Sequence, residues 1–534
     1  MNGDDGAGGA LSRSAAGTRN PWLIAVVISI ATFMQVLDTS IANVALQYIA
    51  GSFAASITEG TWVLTSYLVA SAVVLPISGW LSGVVGRKRF YMLCVATFTA
   101  SSILCAMAPN LAMLIVFRIM QGLGGGGMAP SEQAMLADTF PESQRPMAFA
   151  LYGVAVIVAP TIGPTLGGWL TDNLAWYWIF LINGPIGVIS LLLVHWLVVE
   201  PAVLERERQQ RLAGGLKVDW VGFVLVALFL GCLEIVLDKG QEDDWFGSNF
   251  ITFFAAVSAI AFMLFVPWEL SREEPIVDIR LYSYRSFAAA SLMMLSIGAI
   301  LFGTTQLIPQ LLQEIYQYTA TLSGLALMPG GFAMLLMMPV VGMLAAYVPT
   351  KYLIAGGMMA IAASMWYMTS LSGNADFSFY AWARVFQTVG LPFVFIPITS
   401  ASYSGLPPEK TNEASSLINV ARNLGGSIGI SIAGTILARS AQVHQNYLTS
   451  HLVPSTLRYQ DWIAQITAMF TEQGVPNALA PNAAIALLGQ TVARQSMLLA
   501  FIDVFRDFAL LALILAPVAL ILLRSQPSPA SAAH

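Results

Sequence analysis

Charge is scarce in this chain: 10% of its 534 residues are Asp, Glu, Lys or Arg, while 57% are hydrophobic. Soluble domains carry roughly 25% charged residues, so a water-soluble chain of this length could not cover its surface. One very large buried core is excluded as well, because chains beyond ~300 residues divide into separate soluble domains. The apolar surface must meet lipid. Cysteine is nearly absent. Cys94, Cys105 and Cys232 all lie in apolar stretches, with neither metal-ligand spacing nor a disulfide framework, and they read as small packing residues. The four histidines, His195, His444, His451 and His534, form no metal cluster in sequence, and no cofactor is expected. No Gly-x-x-x-x-Gly-Lys-Ser/Thr loop occurs, which argues against direct use of ATP. No basic tract resembles a nucleic-acid-binding face, and the net charge of −5 gives no reason to expect one.

Long apolar runs are plentiful. A bilayer core ~30 Å thick needs ~20 helical residues to cross. On that rule the sequence predicts fourteen spans, near 22–46, 60–82, 90–109, 111–138, 147–170, 177–199, 218–238, 250–269, 287–310, 320–346, 352–371, 378–403, 412–438 and 498–523. The fold class is therefore an all-α polytopic membrane protein. Residues 1–21 read as a disordered tail, because the following apolar run is too long for a signal-peptide core and lacks a small-residue cleavage site. With that tail inside, sixteen Lys and Arg fall in cytoplasmic segments, five in outside segments and three (Arg118, Arg384, Arg422) within spans. The bias predicts cytoplasmic termini. The outside segment 439–497 is long and only weakly helical in pattern, and loops of that length are often functional.

The chain also repeats itself. Gly79-Trp-Leu-Ser-Gly-Val-Val-Gly-Arg-Lys-Arg89 matches Gly342-Met-Leu-Ala-Ala-Tyr-Val-Pro-Thr-Lys351 at an offset of 263, and Arg118-Ile-Met-Gln121 matches Arg384-Val-Phe-Gln387 at 266. Duplicated halves of this kind build many secondary transporters, with the substrate site between them near mid-membrane. The expected organisation is a six-span half over 22–199, a linker over 200–217, an inserted pair of spans over 218–269, a linker over 270–286, and a second six-span half over 287–523 that includes 439–497. Residues 524–534 form a short tail.

Charges inside spans cost ~3 kcal/mol each on insertion scales and mark functional sites. Asp38 in span one is the leading proton-titrating candidate and Glu132 in span four the second, with Arg118 as the positive group that tunes one of them; a static buried ion pair is the structural alternative. Glu234 and Asp238 read as a solvated helix end. The loop Gly79–Arg89 reads either as a gate, through Gly79, Gly86 and Arg87, or as ordinary positive-inside charge. In span five, Pro160, Gly163, Pro164, Gly167 and Gly168 combine close packing with bending, which suits a moving seal. An apolar, aromatic pocket with few polar anchors is assigned to Gln35, Trp62, Tyr67, Gln121, Tyr152, Asn419 and Arg422, any of whose aromatics could instead face lipid. Gly122–Gly127 fits a dinucleotide fingerprint and Gly425–Gly429 a nucleophile elbow. Both lie inside spans rather than after strands, so they read as helix-packing glycines.

These motifs resemble a known family. Gly79–Arg89 resembles the signature loop of the major facilitator superfamily, Leu114–Gly122 its span-four motif, and Ala159–Gly168 the span-five motif of its exporters. Leu37-Asp38-Thr-Ser-Ile-Ala-Asn43, Trp178–Gly187 and Ser415–Ser427 resemble the fourteen-span drug:proton antiporter family. Leu237–Trp245 and Leu307–Glu314 are similar to the branch of that family that forms inner-membrane subunits of tripartite pumps. The resemblance implies two six-helix halves plus two inserted helices. It implies proton-coupled export of hydrophobic drugs or fatty-acid-like compounds, a periplasmic adaptor of the membrane-fusion type, and an outer-membrane channel. It puts proton coupling on Asp38 and Arg118, and gating on Gly79, Gly86, Arg87 and the span-five residues. Two departures stand out. Gly83 occupies a position where the superfamily loop usually has Asp, and Glu132 one where this branch often has an uncharged residue. A proton-coupled importer, a passive facilitator of the same fold, and a membrane-embedded enzyme are the competing readings.

Overall fold

The computed structural model describes residues 20–522, apart from residues 142, 201–204, 207, 210–212, 214–217, 274, 346, 374–375, 404–405 and 408–409. Residues 1–19 and 523–534 of the expected tails, with Arg13, Arg19 and Arg524, lie outside the described residues, as do Arg211 and Lys217 in the first linker, whereas Asn20 and Pro21 already cap and begin the first helix. The described elements are helices α1 Pro21–Ser52, α2 Ile57–Gly60, α3 Trp62–Val85, α4 Arg87–Ala106, α5 Leu111–Gly125, α6 Met128–Thr139, α7 Arg145–Asn173, α8 Trp178–Leu181, α9 Asn183–Leu197, α10 Trp220–Lys239, α11 Asn249–Ser271, α12 Arg285–Glu314, α13 Ala320–Leu344, α14 Thr350–Met368, α15 Phe377–Ser402, α16 Thr411–Ser450, α17 Leu457–Glu472 and α18 Ala480–Leu522, with two short 3-10 turns and no strand.

Capping side chains fix several starts. Asn20 accepts from the Trp22 amide ahead of Pro21, and Asn110 from Met113. Asp219, Thr319 and Asp376 do the same for α10, α13 and α15. Each satisfies an amide that a helix start leaves without a partner.

Twelve helices are long and apolar enough to cross a bilayer, and thirteen when the two arms of α7 count as one span. The remaining bundle helix, α14, is diluted by Lys351 and the pair Gly356–Gly357, yet it packs between α15 and α18. Together these make the fourteen spans expected. Spans two, four and six are each assembled from two helical pieces, broken near Thr61, Gly126 and Ile182.

The first half comprises α1–α9 and the second α12–α18. They meet through α3 with α16, α6 with α16, α7 with α13, and α7 with α15. The inserted pair α10–α11 lies beside α3 and α16. Phe253, Ile260, Met263 and Leu264 on α11 are exposed, as a lipid-facing helix requires. The end of the bundle that carries most Lys and Arg is called here the basic end, and the other the far end.

At the far end the structure departs from the expected boundaries. Helix α16 runs on to Ser450, α17 follows, and α18 begins at Ala480 rather than near 498. At 1.5 Å per residue, the 40 residues of α16 reach ~60 Å, about twice a bilayer core. Residues 439–497 are therefore a helical protrusion instead of a loosely patterned loop.

Glycines set the close approaches. A methyl added to Gly124 would stand 2.7 Å from the Phe98 amide of α4, and added groups at Gly122, Gly425 and Gly429 would strike the backbones of α3 or α12. Both glycine runs are helix-packing surfaces, as their place inside spans implied.

Candidate functional site

Asp38 sits on α1 with its side chain 1% exposed, facing Arg118 of α5, which is equally buried. Arg118 Nη1 donates to Asp38 Oδ2 at 2.7 Å and to Gln121 Oε1 at 2.8 Å; its Nε donates to the Val63 carbonyl at 3.0 Å. Gln121 Nε2 and Asn183 Nδ2 donate to Asp38 Oδ1 at 3.0 and 2.6 Å. Asn183 also donates to Ser102, whose hydroxyl donates to the Phe180 carbonyl at 2.9 Å. The guanidinium carbon lies 4.5 Å from the Tyr67 ring centroid and 5.5 Å from that of Phe180. Five spans thus converge on one carboxylate.

The local sequence explains the convergence. Arg118 and Gln121 are three residues apart on α5 and share a face, and the packing glycines beyond them draw α5 against α3 and α4. A buried pair of this kind depends on full hydrogen bonding. Removing one member of such a pair typically costs 3–5 kcal/mol, because the other charge is left behind. Proton arrival at Asp38 would cancel its charge and release Arg118 from it, so occupancy at one atom is tied to the packing of five helices.

A second polar cluster lies toward the basic end, on the seam between the halves. Glu132 of α6 is fully buried and accepts from Ser29 of α1 at 2.6 Å. Its neighbour Gln133 accepts from Asn419 of α16 at 2.8 Å and from the Tyr403 hydroxyl at 3.3 Å. Arg422 of α16 donates to the Tyr152 hydroxyl of α7 at 2.8 Å and interacts electrostatically with Glu132. Ser415 and Ser416 donate to the carbonyls of Pro130 and Leu75 at 2.5 Å. Tyr152 stacks on Phe395, and Phe149 on Tyr403, with centroids 6.1 and 5.4 Å apart. Glu132 thus lies inside the bundle and not at its surface.

The expected gating loop adjoins this seam. A methyl on Gly79 would stand 3.0 Å from the Asn412 carbonyl oxygen and the Glu413 Cα, so glycine lets α3 touch the start of α16. Gly86 has φ +97°, a conformation that suits glycine, and an added methyl there would meet the Glu200 carboxylate. The Arg87 amide donates to Glu200 at 2.7 Å, and the Arg87 guanidinium pairs with Asp138 at the end of α6. Two carboxylates, Asp138 and Glu200, thus meet the Gly86–Arg87 turn. In α7 the arms Arg145–Pro160 and Ile162–Asn173 meet at a 40° bend. Ser40 of α1 donates to the Pro160 carbonyl that Pro164 leaves without its helical donor, and Gly163 and Gly167 lie against Ser40 and Ile41. Gly168 is buried and Pro164 half-buried on the same helix.

The candidate pocket residues divide. Tyr67 and Gln121 join the Asp38 cluster, and half-buried Gln35 lies near Gly125 beside it. Tyr152, Asn419 and Arg422 join the seam. Trp62 stands apart: it packs edge-on to Phe250 and lies 5.6 Å from the Lys239 ammonium, against the inserted pair. Sequence reasoning missed Asn183 and Ser102 as partners of the carboxylate, although Asn183 falls in the quoted motif Trp178–Gly187. It also read Glu234 as solvated. Glu234 is 5% exposed and accepts from Ser427 of α16 at 2.6 Å, because α16 covers that face of α10. Asp238, one turn on, pairs with Thr65 of α3. Among the described residues no group of His, Cys, Asp and Glu is arranged to hold a metal.

Comparison with known proteins is consistent with this geometry. The family model described as Major Facilitator Superfamily matches residues 28–430. The chain is 36% identical over 484 residues to the multidrug export protein EmrB of Haemophilus influenzae, covering 90% of this chain and 92% of that protein. It is 32% identical over 496 residues to the fatty acid resistance protein FarB of Neisseria gonorrhoeae, covering 93% and 94%. Its fold is similar to a crystal structure of a double-tryptophan variant of XylE, with a TM-score of 0.58 at 12% identity over 95% of this chain and 96% of that one.

Proposed function

The chain belongs to the major facilitator superfamily, and from that premise we propose that it exports hydrophobic and amphipathic compounds in exchange for protons. It is a multi-pass membrane transporter rather than an enzyme. Both termini are cytoplasmic, the membrane is a bacterial inner membrane, and the proton gradient replaces any cofactor. Two six-helix halves rock about the seam, with α10–α11 as an inserted pair. Asp38 and Arg118 couple proton movement to that rocking, Glu132 is a second proton-binding group, and Gly79, Gly86, Arg87 and the bend of α7 are the moving contacts. An EmrA-like periplasmic adaptor and a TolC-like outer-membrane channel complete a tripartite pump, with the protrusion over 439–497 as the adaptor's seat.

The observation that carries this reading is the desolvated Asp38–Arg118 pair held by Gln121 and Asn183. A structural pair would not need three donors, from two further helices, aimed at one carboxylate. The membrane potential supplies ~2.3 kcal/mol per charge per 100 mV, which at ~1.4 kcal/mol per tenfold sustains roughly a fortyfold gradient of a neutral compound per proton. The test is proton movement on drug addition in proteoliposomes carrying wild type or Asp38→Asn. Drug-triggered proton movement that vanishes in the variant supports antiport through Asp38. Movement that survives in the variant removes Asp38 from the coupling, and drug flux that ignores the proton gradient favours a facilitator.

A further inference from the structure

The two halves repeat one another in register, and the repeat changes chemistry at one position. At the offset of 266 that relates Arg118 and Gln121 to Arg384 and Gln387, Asp38 maps onto Thr304. The hydrogen bonds repeat as well. Gln121 Nε2 donates to Asp38 Oδ1 at 3.0 Å, and Gln387 Nε2 donates to Thr304 Oγ1 at 2.5 Å. Arg118 Nη1 donates to Gln121 Oε1 at 2.8 Å, and Arg384 Nη1 to Gln387 Oε1 at 2.7 Å. Both arginines sit about two turns inside their helices.

The difference is charge. Arg118 faces a carboxylate. Arg384 has the Gln387 amide oxygen and, at 3.3 Å, Thr305 Oγ1; its Nε is buried without a hydrogen-bond partner, and it forms no ion pair among the described residues. It is 1% exposed, held between α12 and α13, where Gly330 makes room for its aliphatic stem. An intramembrane cation without a counter-charge is costly and marks a functional site. A guanidinium is also a planar fork that fits a carboxylate with two parallel hydrogen bonds. The approach is short. Thr305 is only half-buried, and the adjoining Gln306 is exposed about two turns before the far end of α12, which puts exposed polar surface beside Thr305 on that side.

We propose that Arg384, with Gln387, Thr304 and Thr305, receives the carboxylate of an amphipathic organic acid. The first half carries its own carboxylate and exchanges a proton there; the second half takes its counter-charge from the substrate. The proposal rests on the export reading for its physiological meaning, and what it adds is the set of residues that holds the acid group.

The test is equilibrium binding of decanoate and of decan-1-ol, two ligands of equal chain length, to the purified full-length chain in detergent. Wild type is expected to prefer decanoate by about tenfold or more, as a charge-assisted bidentate contact provides. Thr304→Asp places inside the protein the carboxylate that the first half already has, and the preference is expected to fall to near one. Arg384→Gln should do the same. Wild type without a preference, or Thr304→Asp with the wild-type preference, would overturn the proposal. Should Arg384→Gln fail to fold, Thr304→Asp still decides, since it reproduces an arrangement the chain already tolerates in its first half. The measurement needs no proton gradient, so its failure leaves the antiport experiment standing, and failure of antiport leaves this result readable.

Discussion

Glu132 concentrates the chemical question at the scale of single residues. A carboxyl fully buried at the junction of α1, α6 and α16, with Ser29 donating to one oxygen and Arg422 acting on it through space, can change protonation only if the seam opens. Glu132→Gln keeps the shape and the acceptor for Ser29 and removes the exchangeable proton. Proton movement per exported drug, measured in proteoliposomes, is expected to fall in this variant while the Asp38-dependent part persists; unchanged stoichiometry and an unchanged substrate range would remove Glu132 from the mechanism. Which residues could be found from sequence follows from the same physics. Asp38, Arg118 and Glu132 were legible because a charge in an apolar run has no cheap structural explanation. Asn183 and Ser102 were not, because a neutral amide or hydroxyl in a span neither interrupts hydropathy nor breaks a period. Glu234 was misplaced because its distance from the loop was visible and the helix covering it, α16, was not.

Among the elements, α7 links both halves, packing on α1 of its own half and on α13 and α15 of the other. Its bend was legible from Pro160 and Pro164, since proline removes a backbone donor and forces a break. What the sequence did not reveal was the neighbour: Ser40 fills the gap at the bend, and Gly163 is tight against that same side chain. Gly163→Val would drive a branched side chain into Ser40. Overpacking of this kind costs about 1–3 kcal/mol, and the bend would be fixed or the arm displaced. The expected result is a protein that inserts with a lowered unfolding temperature in detergent and loses most drug flux, and Ser40→Gly in the same chain should recover part of both. A Gly163→Val variant with wild-type flux would remove the bend from the transport cycle. Span positions were legible from length and apolarity throughout, whereas the ends of α16 and α18 were not. Polar residues beyond the membrane read as loop, yet a helix already nucleated in lipid continues past the interface at little cost, because nucleation is the unfavourable step.

For the whole molecule, the protrusion is the feature that a bundle of spans does not need. His444 of α16 contacts Asp503 of α18 at 2.7 Å, and Arg506 pairs with the same carboxylate, so the two long helices are tied at its base. Above them α17 packs on α18 around a groove of about 730 Å³ lined by Tyr459, Ile463, Ala468 and Pro481, among others. Tyr447, Leu457, Trp462, Leu479 and Ile485 are exposed on this part of the chain. Apolar side chains gathered outside the lipid call for a protein partner more than for solvent, which is the physical argument for an adaptor seat. Replacing residues 439–497 by a short linker is expected to leave insertion, detergent stability and drug-triggered proton movement in proteoliposomes near wild type, since no residue of the Asp38 cluster or of the seam lies within 439–497. Drug resistance of whole cells should nevertheless be lost, because compounds would be released without a conduit. Retained resistance would sink the adaptor seat, and loss of proton movement in proteoliposomes would make the protrusion part of the transporting bundle itself.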